Sequence, residues 1–288
     1  MKKMVLAFFA LVLVLASCKT QKHAVTSSTV KKTTPFEDTL NARIQAATYI
    51  ILNNLKGGES PEFLAIMSLI DRHYGLGINS VKWKIFESKS VLMHAYGNYM
   101  NNVSVPPVSD AELKSPAIID TIIQNFHRSG VRFGWMTFCD KVPAGQKVID
   151  YAYNEAMKDT QLLPEVVFIF SEIKIRHCYD NEAHFNELND SLRGRLKQFI
   201  VDSTGGVKQR VDLLWTLRAI AFLEYYQHEL NEEKVIDFLL KNQYYGGWGT
   251  YPKPVDQEAL SKYNFDMFSS GFGLWSLLEM RDYYKAKH

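Results

Sequence analysis

Apolar side chains return every three or four residues in one segment after another between residues 37 and 286. That spacing lines one face of a 3.6-residue helix, whereas the alternation of a half-buried strand is hardly present between the turn signals. The chain is therefore expected to be all-α. Helices are predicted over 37–56, 61–74, 86–101, 115–128, 145–158, 161–178, 181–202, 208–229, 232–242 and 267–286. Ser60-Pro61-Glu62 and Ser115-Pro116 supply start signals, a capping residue followed by proline in the first turn, and Gly57-Gly58 and Gly205-Gly206 mark stops.

Two kinds of helix alternate. Residues 162–173 (LLPEVVFIFSEI) and 211–226 (VDLLWTLRAIAFLEYY) are apolar on most faces and belong inside, while 181–202 and 232–242 carry an apolar stripe beside many charges and belong outside. Helical hairpins in an inner and an outer layer follow. Glu165, Glu172, Arg218 and Glu224 stand on the apolar helices, where an ionised group needs a partner or a water-filled cavity.

An internal repeat supports the layers. Ile119-Asp120-Thr121-Ile122-Ile123-Gln124-Asn125 leads to Gly134-Trp135-Met136-Thr137-Phe138-Cys139-Asp140, and Ile236-Asp237-Phe238-Leu239-Leu240-Lys241-Asn242 leads to Gly247-Trp248-Gly249-Thr250-Tyr251, with four more residues in the first loop. The segment NQYYGGWG at 242–249 resembles the Q-x-x-x-G-G-W-G signature of prenyltransferase and squalene-cyclase type α/α toroids, with Asn242 where that family has Gln. The resemblance covers two of about five hairpins. It implies a toroid-like body over 36–288, its ring complete or incomplete, in which glycines carry the chain tightly from an outer to an inner helix and the tryptophan packs over the turn. An irregular helical bundle or a short solenoid is the alternative. Terpene chemistry does not come with the resemblance, because the sequence holds neither DxDD nor DDxxD.

The N-terminus carries an address. Met1-Lys2-Lys3 and the apolar run Met4–Leu15 form a leader too short to span a bilayer. It ends in Leu15-Ala16-Ser17-Cys18, which resembles the lipobox of bacterial lipoproteins. The resemblance implies a signal peptide over 1–17, a diacylglyceryl Cys18, and anchoring in the cell envelope without a spanning helix. Lys19 stands where aspartate signals inner-membrane retention in many Gram-negative bacteria, so the outer membrane is expected. Residues 18–35, rich in Ser, Thr and Lys, read as a flexible tether. Losing Lys2 and Lys3 with the leader brings the formal charge from +2 to balance, which gives no field for nucleic acid.

Three groups of residues are candidates for chemistry. Cys139 and Cys178 remain after lipidation, in an oxidising compartment where two thiols commonly pair; separate thiols, or a zinc site with Asp140, His177 and His184, are the other readings. No resident cofactor or metal is expected. Trp135, Phe138, Trp248, Tyr251, Tyr244 and Tyr245 cluster on the repeat loops, where they either plug the turns or offer flat faces to a glycan or peptide. Asp140, Asp256 and Asp266 supply carboxylates near those loops for acid and base roles. The expected function is thus a lipid-anchored envelope protein that binds a ligand in an aromatic-lined cleft. A polysaccharide lyase or glycoside hydrolase on the same scaffold, and an accessory protein contacting envelope partners, are the alternatives.

Overall fold

The computed structural model describes residues 34–55, 61–77, 115, 117–140, 145–204 and 212–287. The leader, Cys18, the tether up to residue 33 and the helix expected at 86–101 lie outside the described residues. The chain divides into Met1–Pro35 and a folded body, Phe36–His288. The helices are α1 (Pro35–Asn54), α2 (Pro61–Tyr74), α3 (Ala117–Gln124), α4 (Ser129–Thr137), α5 (Gly145–Lys158), α6 (Leu163–Ile175), α7 (Glu182–Thr204), α8 (Leu213–Glu224), α9 (Glu232–Asn242), α10 (Gln257–Ser261) and α11 (Met267–Lys287). The fold is all-α: the described residues contain no strand, only the isolated bridges Tyr244–Gly247 and Trp248–Asp266. None of their helices is long and apolar enough to cross a membrane.

Burial separates the helices into the two kinds foreseen. α6 is buried without a break from Leu163 to Ile173, α11 from Ser269 to Met280 and α4 from Gly130 to Thr137, while α8 buries nearly every residue. By contrast α5 buries Val148, Ile149, Ala152 and Ala156, and α7 a stripe from Phe185 to Ile200. The buried helices touch in succession: α4 packs on α6, α6 on α8, α8 on α11, and α11 on α2. Around them α5 and α7 cover α6, and α9 covers α11. Along the chain, buried and striped helices therefore alternate from α4 to α9.

Aromatic rings set the spacing of the inner helices. Phe168 of α6 stacks on Phe222 of α8 with centroids 4.6 Å apart, and Trp275 of α11 meets both edge-on at 5.5 Å. Such pairs add about 0.5–1.5 kcal/mol each beyond the area they bury.

The carboxyl ends of α4 and α6 are joined. A disulfide links Cys139 to Cys178 across 5.6 Å between Cα atoms, and the Arg176 guanidinium donates to the Thr137 carbonyl at 2.9 Å. Helix α6 closes in a Schellman turn in which His177 takes φ 54° and the Cys178 and His177 N–H groups donate to the Ile173 and Lys174 carbonyls. Buried Arg193 of α7 braces the same end, donating to Glu229, Ser171 Oγ and the carbonyls of Leu223 and Gln227.

The second glycine-tryptophan unit forms a corner between α9 and α11. Trp248 is fully buried, its indole N–H donates to the Leu239 carbonyl at 3.0 Å, and its backbone accepts from Asp266 N–H at 2.7 Å. Gly246 takes φ 93° with Ala46 O of α1 only 2.6 Å from where a Cβ would stand, and Gly273 of α11 lies flat against the indole. The first unit differs: Gly134-Trp135 falls inside α4, where a loop was expected. Its apolar residues are buried on every side, and the four additional residues are enough for one more turn of helix, so the repeat is one of sequence and not of local structure.

Two stability tests follow. The Cys139→Ser/Cys178→Ser double variant should lose about 3–4 kcal/mol in urea unfolding, the entropy of closing a loop of this size. Gly273→Ala would put a Cβ 2.5 Å from the Trp248 ring, and the same assay should show a loss of about 1–3 kcal/mol.

Candidate functional site

The inner helices carry charges, and most of them are paired. Glu165 is held by Arg132 through two bonds, Nε to Oε1 at 2.7 Å and Nη2 to Oε2 at 2.8 Å, while Arg132 Nη1 donates to the Phe126 carbonyl. Glu172 accepts from Arg176 at 3.1 Å and from the Tyr225 hydroxyl at 2.6 Å. Glu224 holds His228 at 3.2 Å and the N–H groups of Glu229 and Leu230 at 3.1 and 3.0 Å. Two charges are left over, Arg218 on α8 and Glu279 on α11. Each opens on a cavity.

Arg218 stands beside the Arg132–Glu165 pair. Its Nη2 donates to the Gln161 carbonyl at 2.8 Å, and its buried Nε finds no acceptor among the described residues. Burial pulls its pKa below the usual arginine value; Glu165 opposes that and Arg132 adds to it. On one side of these three residues lies an apolar cavity of about 340 Å³, walled by Ile66 of α2, Phe133 of α4, Leu214 and Phe222 of α8, and Phe268 and Phe272 of α11. On the other lies a polar one of about 420 Å³ with His127, Tyr151, Glu155, Asp159 and Gln161. Glu155 is paired with Lys158 and Asp159 accepts the Gln161 N–H; Arg218 itself makes no ion pair among the described residues, and only the longer-range fields of Glu165, Asp212 and Asp159 favour its charge. Both volumes fall within roughly 300–1,000 Å³, the range of small-molecule sites.

Among the described residues α2, α4, α6, α8 and α11 all reach the apolar cavity, four of them through their first turns (Ser129 and Arg132 of α4, Glu165 of α6, Leu214 of α8, Phe268 of α11), while Phe222 lines it from the carboxyl-terminal part of α8. Helix amino termini carry partial positive charge, so Arg132, in the first turn of α4, is placed where the backbone disfavours a cation.

Glu279 faces a smaller cavity of about 180 Å³ with His73, Tyr74, Tyr225, Tyr226, His228 and Asp282. Its carboxyl accepts from the Trp275 indole at 2.8 Å and from the Tyr74 hydroxyl. Burial pushes its pKa from 4.5 up to about 7, with the Trp275 and Tyr74 bonds and His228 opposing and Asp282 adding. Burial and the neighbouring carboxylates Glu279 and Glu172 raise the Tyr74 and Tyr225 hydroxyls in turn.

The residues expected from the sequence lie elsewhere. Trp135 and Trp248 are both 0% exposed, so neither indole has a face for a ligand; Trp135 packs near Phe126, and Trp248 fills its corner against Gly273. Phe138 caps the carboxyl end of α4. Tyr244 and Tyr245 touch at 4.3 Å, and Tyr263 joins Tyr244 by its ring and Tyr251 by a bond to its carbonyl. Tyr245 and Tyr251 are 81% and 65% exposed. Asp140 and Asp256 are exposed, Asp256 caps α10, Asp266 accepts from Ser269 N–H at the start of α11, and none of the three lines the cavities above. Cys139 and Cys178 are bonded to each other, His177 meets the Tyr179 hydroxyl and His184 meets Asp150, and the described residues hold no group of three or more metal-ligating side chains.

Comparison of the chain with protein-family models, with curated proteins and with solved structures gives no match. Function is accordingly read from geometry.

Two of the site residues, Glu165 and Arg218, carry the signal noted in the sequence, a lone charge on an apolar helix. Glu279 in Ser276-Leu277-Leu278-Glu279-Met280 carries the same signal and was not singled out, and Arg132 stood in a segment expected to be loop.

The raised pKa of Glu279 has a measurable consequence. The folded carboxyl keeps its proton to about pH 7 whereas the unfolded one releases it near 4.5, so this contribution is whole below about pH 4.5 and is lost as pH rises through 7. It is worth about 3 kcal/mol. In Glu279→Gln, which mimics the protonated acid, that loss should vanish: unfolding free energies at pH 4.5 and 8 should move about 3 kcal/mol in the variant's favour relative to the parent. Parallel pH profiles would show that the carboxyl titrates normally.

Proposed function

We propose that this protein is a ligand-binding lipoprotein of the cell envelope, anchored through Cys18, held off the outer membrane by the tether 18–35, and folded as an α/α toroid whose inner helices surround the ligand. The alternation of buried and striped helices supports the toroid, and the convergence of α2, α4, α6, α8 and α11 on one apolar cavity supports its being the binding site. One observation carries the ligand class. Arg218, without an ion pair among the described residues and with a free Nε, lines both an apolar and a polar cavity. The ligand is therefore an amphipathic acid. Its apolar body lies among Phe133, Phe222, Phe268 and Phe272, its acidic group meets Arg218, and the remainder extends into the polar side. An acylated glycan or a peptide with an apolar end and a carboxylate falls in that class. The Arg132–Glu165 pair positions the rim.

A lyase or hydrolase working through Asp140, Asp256 and Asp266 draws less support, since none of them lines a cavity. The accessory role is favoured by a specific feature, the exposed Tyr245, Tyr251, Val255 and Phe265 on the stretch between α9 and α11, and is compatible with a ligand inside.

The test uses the mature chain carrying Cys18→Ser, which leaves it unlipidated. Isothermal titration should show dodecanoate binding more tightly than dodecanol, and Arg218→Gln should weaken dodecanoate by about tenfold or more, the worth of a charge-assisted hydrogen bond. Equal affinity for dodecanoate and dodecanol, or no effect of Arg218→Gln, would overturn the proposal.

A further inference from the structure

The far end of the inner layer holds the other unbalanced charge. Glu279 is 5% exposed, yet its carboxyl receives only the neutral donors Trp275 and Tyr74, while the buried glutamates Glu165, Glu172 and Glu224 each have a cation or backbone N–H groups. A carboxylate offers about four acceptor positions. Two donors leave about two of them unused, and Glu279 lines the 180 Å³ cavity. Ionising a buried acid without a counter-ion is costly, which is why this carboxyl holds its proton to about pH 7, and a cation in the adjacent cavity would offset that cost.

The surroundings agree. Tyr74 ends α2 and Tyr225 follows α8, so two helix carboxyl termini, which carry partial negative charge, point at this cavity. Arg281 is the nearest guanidinium in sequence; it donates to Asp282 at 3.0 Å and lies 6.0 Å from the Tyr74 ring centre. His228 is engaged by Glu224 and stacked on Tyr283 at 4.5 Å. Tyr226 turns a 53% exposed ring toward the same space from a backbone at φ 68°, a conformation that is costly for an aromatic residue and is kept here at a cavity rim.

We propose that this cavity binds a small alkylammonium ion, its charge on Glu279 and its alkyl groups against the rings of Tyr74, Tyr225 and Tyr226. Aromatic faces with a carboxylate are the chemistry that recognises such cations. The volume fits a molecule of a few heavy atoms, and the site is independent of the amphipathic acid at the arginine end.

The test titrates the unlipidated mature chain at pH 8 with choline and with n-propylammonium, and with 3,3-dimethylbutan-1-ol, the uncharged isostere of choline. At least one cation should bind about tenfold more tightly than the isostere, and Glu279→Gln should erase that difference. Tyr226→Gly, which suits the backbone and removes the ring, should weaken the same cation by about threefold or more; it decides the matter should Glu279→Gln fail to fold by circular dichroism. Heat from neither cation up to about 20 mM, equal binding of the isostere, or cation binding that survives loss of the Glu279 charge would overturn the proposal. The result stands whether or not dodecanoate binds, so failure of one reading is not failure of the other.

Discussion

The packing of α6, α8 and α11 through Phe168, Phe222 and Trp275 is the constraint on which the molecule depends. Helices of 12 or 13 residues such as α8 and α6 are marginal alone in water. Mutual burial forms them, and it fixes their direction. The disulfide and the Arg176–Thr137 bond hold the carboxyl ends of α4 and α6 side by side, and four helices reach the arginine cavity through their first turns. Neighbours that run the same way sum their dipoles at each end, and the fold places buried charges at both.

Those charges separate architecture from function. Glu165 with Arg132, Glu172 with Arg176, and Arg193 with Glu229 are satisfied pairs that orient helices and need nothing more. Arg218 and Glu279 are not satisfied in this way, and both lie on open space. An unpaired charge taken out of water weakens a fold by more than a paired one, so these two positions cost stability that the satisfied pairs do not.

Much of the fold was legible in the sequence because helical periodicity is a local property. The inner helices declared themselves through the apolar runs at 162–173 and 211–226, and the outer ones through their stripes. The segment around Gly134-Trp135 was not legible. Its likeness to Gly247-Trp248 pointed to a loop, whereas its surroundings bury it on all sides as α4. The candidate site was half legible. The need of Glu165 and Arg218 for a partner could be seen from their neighbours, but Arg132 lies 33 residues from Glu165, and which charge finds its partner is decided by packing between helices. The two tryptophans were open to either reading for the same reason. Tryptophan beside glycine serves a tight turn and a pocket equally well until its exposure is known.

Trp275 has one more consequence. Its ring touches Phe272, which walls the arginine cavity, and Tyr225, which walls the other, while its indole N–H holds Glu279. One indole thus joins the walls of the two cavities. A shift of that ring would reach both walls and the Glu279 carboxyl together, so the two cavities share a single packing unit.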